Sequence, residues 1–279
     1  MRLGTLADGG ATTAAVFVDG ACAAIPGFAD AGAVLRAGDD GLARARAAVA
    51  GELRPYDVAD LRAPVLEPAA VICVGLNFRN HVVEMGREIP TAPTLFAKLP
   101  QALCGPADDV ALTPLSKAVD YEGELVVVIG ARARDVPERR AHEAIAGYTL
   151  MNDVSMRDLQ YRSLQWFAGK NIEASTPVGP WIVTADEIDP AGSMLRVTVN
   201  DELRQQAPIA DLIFDPARLV ADVSRLVTLQ PGDLLATGTP GGVGHGSDPP
   251  RYLADGDVVA VEVDGIGTLR NAFRASMRG

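Results

Sequence analysis

The sequence predicts an α+β protein in which a mixed β-sheet forms a roll, preceded by a small N-terminal α/β domain. Two β-hairpins support this most directly, with turns at Asn200-Asp201 and at Asp264-Gly265 between apolar, strand-like segments. Hairpins join antiparallel strands, so an all-parallel sheet is excluded. The second part of the chain has many short strands and few helices, which is typical of the α+β class.

Residues 1–66 are predicted to form the small domain. Residues 14–18 have the composition of a strand and are followed by an Asp19-Gly20 turn, whereas the alanine- and arginine-rich residues 41–49 favour a helix. Segment 63–68 contains two prolines, each of which disfavours helix at the preceding residue, and it is predicted to be an extended linker. The second domain therefore spans residues 67–279.

The elements of the second domain follow from apolar patterning and capping signals. Strands are predicted at residues 71–75, 94–98, 126–129 and 178–183. Helices are predicted at residues 79–85, 138–146, 155–166 and 216–228. The last of these helices has the clearest start, since Asp215 can cap it and Pro216 suits its first turn.

Composition limits the function classes. A net charge of −11 and a pI of about 4.7 argue against a nucleic-acid partner. No apolar run has the length of a membrane span, and residues 1–10 lack a signal-peptide pattern. The odd number of cysteines, without CxxC spacing, favours reduced thiols in a cytoplasmic protein, and three histidines exclude a histidine-rich metal site.

Glu122 and Glu124 are the first candidates for chemistry. They begin a very apolar strand, and side chains two residues apart in a strand point to the same face. Two buried carboxylates repel one another, and a divalent cation would offset that cost. Oxygen-only ligation favours Mg²⁺ or Mn²⁺, with Ca²⁺ as an alternative. The competing interpretation is a strand that starts at a hydrated edge with both glutamates solvated.

Asp153 could supply a third ligand, or it could be an ordinary helix N-cap. Arg157 and Gln160 are i, i+3 neighbours on the helix predicted after it, where they share a face that could equally be a solvated polar surface.

His81 and Glu84 are also i, i+3 neighbours. A carboxylate beside an imidazole raises its basicity and fixes its tautomer, which suits a general base, although such pairs also occur on surfaces. Lys170 follows a glycine and could stabilise an enolate oxygen or simply be solvated. The glycine-dense loop at 237–244 lacks the ending of a phosphate-binding loop; it could bind a small anion through backbone N–H groups or be a flexible turn.

In order along the chain, these segments resemble the fumarylacetoacetate hydrolase family, in its acylpyruvase and 2-hydroxyhepta-2,4-diene-1,7-dioate isomerase branch. Each motif is weak alone, but the ordered set is specific and covers about residues 64 to 275. The motifs are Val74-Gly75-Leu76-Asn77-Phe78-x-x-x-His81-x-x-Glu84, Phe96-Ala97-Lys98, Asp120-Tyr121-Glu122-Gly123-Glu124-Leu125, Asn152-Asp153-Val154-Ser155-x-Arg157-Asp158-x-Gln160, Gly169-Lys170, Pro177-x-Gly179-Pro180 and Thr237-Gly238-Thr239-Pro240-x-Gly242-Val243-Gly244.

The resemblance implies a homodimer that acts on a small 2-oxo acid with a Mg²⁺ or Mn²⁺ ion, for which Ca²⁺ could substitute. It implies metal ligation by Glu122, Glu124 and Asp153 and a water-activating pair formed by His81 and Glu84, often on a lid. Substrate contacts are implied for Arg157, Gln160, Lys170 and Thr239, with Lys98 a weaker match. Leu76 stands where some decarboxylase and acylpyruvase members have arginine. This removes one possible partner for a substrate carboxylate and disfavours an oxaloacetate-type substrate.

The expected activity is metal-dependent hydrolysis of a C–C bond in an acylpyruvate-type β-diketo acid. His81 would activate water, and the metal and Lys170 would stabilise the pyruvate enolate that leaves. The alternatives are isomerisation, decarboxylation or lyase chemistry on a 2-oxo acid or a 2-hydroxy-diene-dioate, and a non-catalytic 2-oxo-acid binder.

Overall fold

The computed structural model describes residues 1–276. The strands are β1 (Arg2–Asp8), β2 (Ala11–Val18), β3 (Ala21–Ala24), β4 (Arg54–Pro55), β5 (Leu61–Arg62), β6 (Val71–Gly75), β7 (Thr94–Lys98), β8 (Leu103–Cys104), β9 (Val110–Leu112), β10 (Val119–Asp120), β11 (Gly123–Ile129), β12 (Ile145–Asn152), β13 (Ser155–Met156), β14 (Thr176–Thr184), β15 (Met194–Val199), β16 (Glu202–Pro208), β17 (Leu234–Ala236), β18 (Val258–Val263) and β19 (Gly267–Ala275). The α-helices are α1 (Ala31–Arg36), α2 (Gly38–Val49), α3 (Arg79–Glu84), α4 (Glu138–Ala141), α5 (Arg157–Gln160), α6 (Phe167–Lys170) and α7 (Pro216–Leu226).

Within these residues the strands form a large sheet of twelve, a second sheet of five and the small pair β10-β13. The large sheet has the order β4-β3-β2-β1-β14-β12-β11-β17-β6-β7, with β5 beside β1 and β8 beside β14, and the second has the order β16-β15-β18-β19-β9. Strand β17 runs parallel to β6, whereas β11 runs antiparallel to both β12 and β17. The sheets are mixed, which confirms the predicted α+β class.

Strand β11 lies in the middle of the large sheet, and both of its faces are buried. Leu125 and Val127 pack in one core with Val197 of the five-stranded sheet, whereas Val126 packs in a second core with Val34 of helix α1. Alternate side chains of a strand point to opposite faces, so burial on both sides explains the uninterrupted apolar run. The two cores hold β11 rigidly, and its first residues carry part of the site.

The N-terminal strands extend the large sheet. Strand β1 pairs antiparallel with β14 through Leu3, which lies opposite Ile182. Both residues belong to the core that also contains Val126. The division into a domain of residues 1–66 and a domain of residues 67–279 remains a prediction.

One of the predicted helices is wrong, and a second is confirmed only in part. Residues 155–166 do not form one helix: Ser155 pairs with Asp120 across β10 and β13, which requires extended backbone, and only the single turn α5 and the separate α6 are helical. Residues 138–146 form the single turn α4 and a 3₁₀ turn before β12 begins at Ile145. Pairing with a neighbouring strand outweighs local helix propensity at Ser155 and from Ile145 onwards.

Other local predictions are confirmed. Asp215 caps α7, and its carboxylate accepts the backbone N–H of Arg218 at 2.8 Å. The first hairpin turns at Asn200 and Asp201, whose φ angles of 52° and 65° lie in the left-handed region that asparagine and aspartate tolerate. In the described part of the chain, no helix combines the length and apolarity needed to cross a membrane.

Candidate active site

Three buried carboxylates come together at the start of β11. Glu122 precedes this strand, Glu124 lies within it and Asp153 directly follows β12. Antiparallel pairing places Gly123 opposite Asn152, and the backbone N–H of Asp153 donates to the Glu122 carbonyl at 2.8 Å. One oxygen atom from each carboxylate lies within 4.8 Å of the other two. This acidic triad is the predicted set of metal ligands.

Cationic side chains surround two members of the triad. Lys170 Nζ lies 2.8 Å from Glu122 Oε2 and 2.7 Å from Asp153 Oδ2. Arg157 Nη1 lies 2.6 Å from Glu122 Oε1, and Lys98 Nζ lies 2.7 Å from Asp153 Oδ1. All of these groups are buried, so their pairing matters for stability.

Glu124 differs from the other two carboxylates. In residues 1–276 it forms no ion pair, and its Oε2 accepts one hydrogen bond from the Gly238 N–H at 2.8 Å. Burial raises the pKa of Glu124 well above its usual range, and the charges of Asp153 and Glu122 raise it further. Burial also acts on Glu122, but there Lys170 and Arg157 outweigh it and hold the pKa below its usual range.

An oxygen-only triad with one unpaired carboxylate fits a divalent cation. The two positive charges of such an ion would offset the repulsion between the Glu124 carboxylate and those of Glu122 and Asp153. Carboxylate ligands also suit hard ions such as Mg²⁺, Mn²⁺ or Ca²⁺. The donor set fits all three ions and selects none of them.

His81 and Glu84 form the imidazole–carboxylate pair that their spacing predicts. His81 Nδ1 lies 3.1 Å from Glu84 Oε2, and Glu84 Oε1 accepts the Gly242 N–H at 2.9 Å. Burial tends to raise the pKa of Glu84, but the hydrogen bonds from His81 and Gly242 outweigh it, and the pKa is lowered overall. The carboxylate is therefore ionised near neutral pH and can orient and support a basic imidazole.

Asn77 fixes the start of helix α3, which carries this pair. It is fully buried, and its Nδ2 donates to the carbonyls of Phe214 and Thr237 at 2.9 and 2.8 Å. Its Oδ1 accepts the Phe214 N–H at 2.8 Å. Asn77 thus links the segment between β6 and α3 to the two loops that contain Phe214 and Thr237.

The glycine-dense loop is a structured wall whose N–H groups bind the protein's own carboxylates. Gly238 donates to Glu124, Gly242 to Glu84, and Gly244 to Asp120 at 2.8 Å. Gly242 has φ 101°, and a Cβ there would lie 2.0 Å from the Arg204 carbonyl oxygen. Only glycine satisfies both constraints, so the loop cannot be treated as a flexible turn.

Asp120 lies outside the triad and holds Arg157 instead. Its Oδ2 lies 2.8 Å from both Nε and Nη2 of Arg157 and accepts the His245 N–H at 3.0 Å. Arg157 Nη1 also donates to Gln160 Oε1 at 3.0 Å, so the predicted neighbours do share a face, although their helix is one turn long. Arg157 is thereby fixed between Asp120 and Glu122.

A cleft with about 640 Å³ of empty space opens over the triad, open solvent at its mouth included. The predicted site residues that line it are Glu122, Glu124, His81, Lys170, Arg157, Gln160 and Thr239. Thr239 Oγ1 donates to the Gly123 carbonyl at 2.9 Å and accepts from Gln205 Nε2 at 2.8 Å. Asp153, Glu84 and Lys98 are not among the lining residues, and Lys98 lies behind Asp153 with a fully buried side chain.

Sequence reasoning missed an aromatic wall of the cleft. Phe96 and Trp166 meet edge to face at 5.3 Å between ring centroids, and Tyr161 lies against His245 at 5.4 Å. His245 directly follows the glycine-dense loop, and no periodicity in the sequence marks these rings as a set. Of these four residues, Phe96 alone belongs to one of the family-like motifs, Phe96-Ala97-Lys98.

The chain is similar to known proteins over most of its length. Residues 70–274 match the family model for the C-terminal domain of fumarylacetoacetate hydrolases. The chain is 41% identical over 216 residues to oxaloacetate tautomerase YisK of Bacillus subtilis, covering 76% of this chain and 72% of the relative.

Two solved structures are similar over nearly the whole chain. A fumarylacetoacetate hydrolase of Exiguobacterium antarcticum has a TM-score of 0.86 and 36% identity, with 99% of this chain and 100% of that chain covered. A 2-hydroxyhepta-2,4-diene-1,7-dioate isomerase of Mycobacterium marinum has a TM-score of 0.78 and 33% identity, with both chains covered fully at 100%.

Proposed function

The chain belongs to the fumarylacetoacetate hydrolase family, and from that premise we propose that it is a metal-dependent tautomerase, which interconverts the keto and enol forms of an oxaloacetate-type 2-oxo acid. One observation supports this most directly: His81, backed by Glu84, lines the same cleft as Glu122 and Glu124 of the acidic triad and as Lys170. A base, a cation and a metal-binding group in one cleft are what proton transfer next to a carbonyl requires.

A divalent ion held by Glu122, Glu124 and Asp153 would supply Lewis-acid stabilisation of enolate charge. His81 removes the proton from C3 of the keto form through Nε2, while Glu84 holds its Nδ1. The Lys170 ammonium adds a fixed positive charge beside the triad. Returning the proton to the enolate oxygen gives the enol, and the reverse sequence gives the keto form.

Arg157 and Gln160 bind the carboxylate of the substrate in this scheme. Asp120 fixes the guanidinium of Arg157, and the hydrogen bond to Gln160 keeps the two side chains together at the cleft surface. Thr239, held by Gly123 and Gln205, adds a hydroxyl to the same wall. Fixed donors lower the entropy cost of orienting the substrate.

The direct test follows the enol form of oxaloacetate by its ultraviolet absorbance, with and without added Mg²⁺ or Mn²⁺. The protein should accelerate ketonisation over buffer, EDTA should abolish the acceleration, and NMR should show oxaloacetate as the sole product. An unchanged rate in the presence of either metal would contradict the proposal.

Hydrolysis of a C–C bond is the second candidate. It is favoured by the Glu84-oriented His81, because a pair of this kind can take a proton from water as readily as from carbon. The water oxygen would bond to the distal carbonyl carbon of an acylpyruvate, and the C–C bond would break to give two acids. Product analysis in ¹⁸O-labelled water separates the candidates, since only hydrolysis places label in a carboxylate product.

We also propose that the physiological metal is Mg²⁺ or Mn²⁺ and that the protein is a homodimer. Activity titrations with each ion test the first statement, and size-exclusion chromatography with light scattering tests the second.

A further inference from the structure

Arg87 lines the cleft and carries a positive charge that could bind a ligand. Among the arginine and lysine side chains that line the cleft, Arg157 and Lys170 are paired with carboxylates of the site. Arg87 forms neither a hydrogen bond nor an ion pair through its side chain with any residue that the structure describes. Its charge is therefore available to a ligand.

The end of helix α3 brings Arg87 to this position. Gly86 takes φ 61°, the left-handed conformation that ends many helices, and the Arg87 N–H donates to the Val82 carbonyl at 3.0 Å. The chain turns back at the helix end, on the segment that also carries His81 and Glu84. The backbone of Arg87 is thus held although its side chain is exposed.

His245 supplies a second free donor on the neighbouring loop. A Cβ added at Gly246 would lie 3.2 Å from the Glu84 carboxyl group, so this loop packs directly against the end of α3. His245 Nδ1 lies 2.8 Å from the Tyr252 hydroxyl, and no partner for Nε2 is found within residues 1–276. When the Tyr252 hydroxyl donates to Nδ1, the ring proton lies on Nε2, which can then donate to a ligand.

Leu76 leaves another part of the cleft without a polar group. It lines the cleft, and its side chain is apolar. A substrate with a second carboxylate therefore needs a different cationic partner. Of the arginine and lysine side chains that line the cleft, Arg87 alone has no carboxylate partner within residues 1–276.

We propose that Arg87 and His245 form a subsite for the distal carboxylate of a dicarboxylic 2-oxo acid. The proposal rests on the proposed function, because the 2-oxo-acid end must occupy the triad side of the cleft. Arg87 supplies charge and two parallel N–H donors, and His245 supplies one N–H donor through Nε2. The subsite selects dicarboxylic over monocarboxylic 2-oxo acids.

The test compares two ligands of equal chain length, 2-oxoglutarate and 2-oxopentanoate, which differ in the distal carboxylate. Calorimetry with Mg²⁺-loaded protein gives the ratio of their dissociation constants without any turnover. Arg87→Gln should reduce the preference for 2-oxoglutarate about tenfold, as expected for a charge-assisted contact. His245→Phe keeps the ring against Tyr161 and should reduce it about threefold, as expected for a neutral hydrogen bond.

Arg79→Gln is the matched control, since Arg79 is an exposed arginine at the start of α3 that does not line the cleft. It should leave the ratio unchanged. If wild type prefers 2-oxoglutarate and both variants keep that preference, or if wild type binds both ligands equally, the subsite assignment is wrong while the proposed function stands. If wild type binds neither ligand with metal present, the subsite assignment fails, and the oxaloacetate ketonisation assay decides the proposed function separately.

Discussion

Asp120 holds Arg157 through a single carboxylate oxygen, Oδ2, which lies 2.8 Å from both Nε and Nη2 of the guanidinium. The same carboxylate accepts N–H groups of the glycine loop from Gly244 and His245. A residue outside the proposed metal ligands thereby connects Arg157, which we propose binds the substrate carboxylate, to the wall of the cleft.

Asp120→Asn should destabilise the protein by about 2 to 4 kcal/mol, because it removes the charge that a buried arginine faces while Arg157 keeps only Glu122. Urea unfolding measures the change. Asp109→Asn is the control, since Asp109 pairs with Arg274 at 3.4 Å on the exposed surface, and it should have a much smaller effect. Equal losses in both variants would show that the buried pair has no special role.

Glu124→Gln should leave the stability of the metal-free protein nearly unchanged and remove its response to Mg²⁺. Burial and the charges of Asp153 and Glu122 raise the pKa of Glu124, which favours the protonated form of this carboxyl without a metal, and an amide resembles that form in shape and charge. Wild type should gain about 2.7 kcal/mol at a metal concentration one hundred times Kd.

Thermal melts in EDTA and in Mg²⁺ give both quantities for the Glu124 variant. Glu262→Gln, on the exposed side of the five-stranded sheet, should keep the full Mg²⁺ response. A Glu124→Gln protein that is stabilised by Mg²⁺ as strongly as wild type would remove Glu124 from the ligand set.

His81→Asn should lower kcat for tautomerisation by about a hundredfold to ten-thousandfold, the usual contribution of a positioned general base. Metal binding should survive, because His81 is not a ligand, and the Mg²⁺-induced melting shift reports it. His142→Asn serves as the control, since His142 is exposed and away from the cleft. A loss of the melting shift together with kcat would point to a structural role for His81.

Glu84→Gln should destabilise the protein at neutral pH but progressively less at acid pH. The folded-state pKa of Glu84 is lowered from its ordinary value of 4.5, so ionised Glu84 contributes stability above that value and loses it as the pH falls through the lowered pKa. Urea unfolding of both proteins between about pH 7 and about pH 3.5 should show the two curves converging. A constant difference across this range would mean that the charge of Glu84 does not stabilise the fold.

Local signals in the sequence were sufficient for features fixed by near neighbours. The Asn200-Asp201 turn, the Asp215 cap and the His81–Glu84 pair each depend on residues within a few positions of one another, and each forms as predicted. The i, i+3 spacing of Arg157 and Gln160 also held, because one helical turn is enough to bring them together.

Long-range pairing produced what the sequence could not show. The β10-β13 bridge between Asp120 and Ser155 broke the predicted helix at 155–166, and the fold gave Asp120 its role as a support for Arg157. Lys98 carries no sequence signal for a position behind Asp153. The Tyr161 and His245 rings are far apart in the sequence, and the hydrogen bond from the His245 N–H to Asp120 helps to hold the loop that brings them into contact.

The pairing of β1 with β14 has a consequence for any shortened form of the protein. A chain beginning at residue 67 would lose Leu3 and Val34, which cover Val126 and Ile182 in the second core. It would also leave the backbone of β14 unpaired where β1 now lies, and an open strand edge beside bare apolar surface promotes self-association. The shortened chain should therefore aggregate. In the full chain the N-terminal strands prevent this, because they pair with the β14 edge and bury the apolar surface beside it.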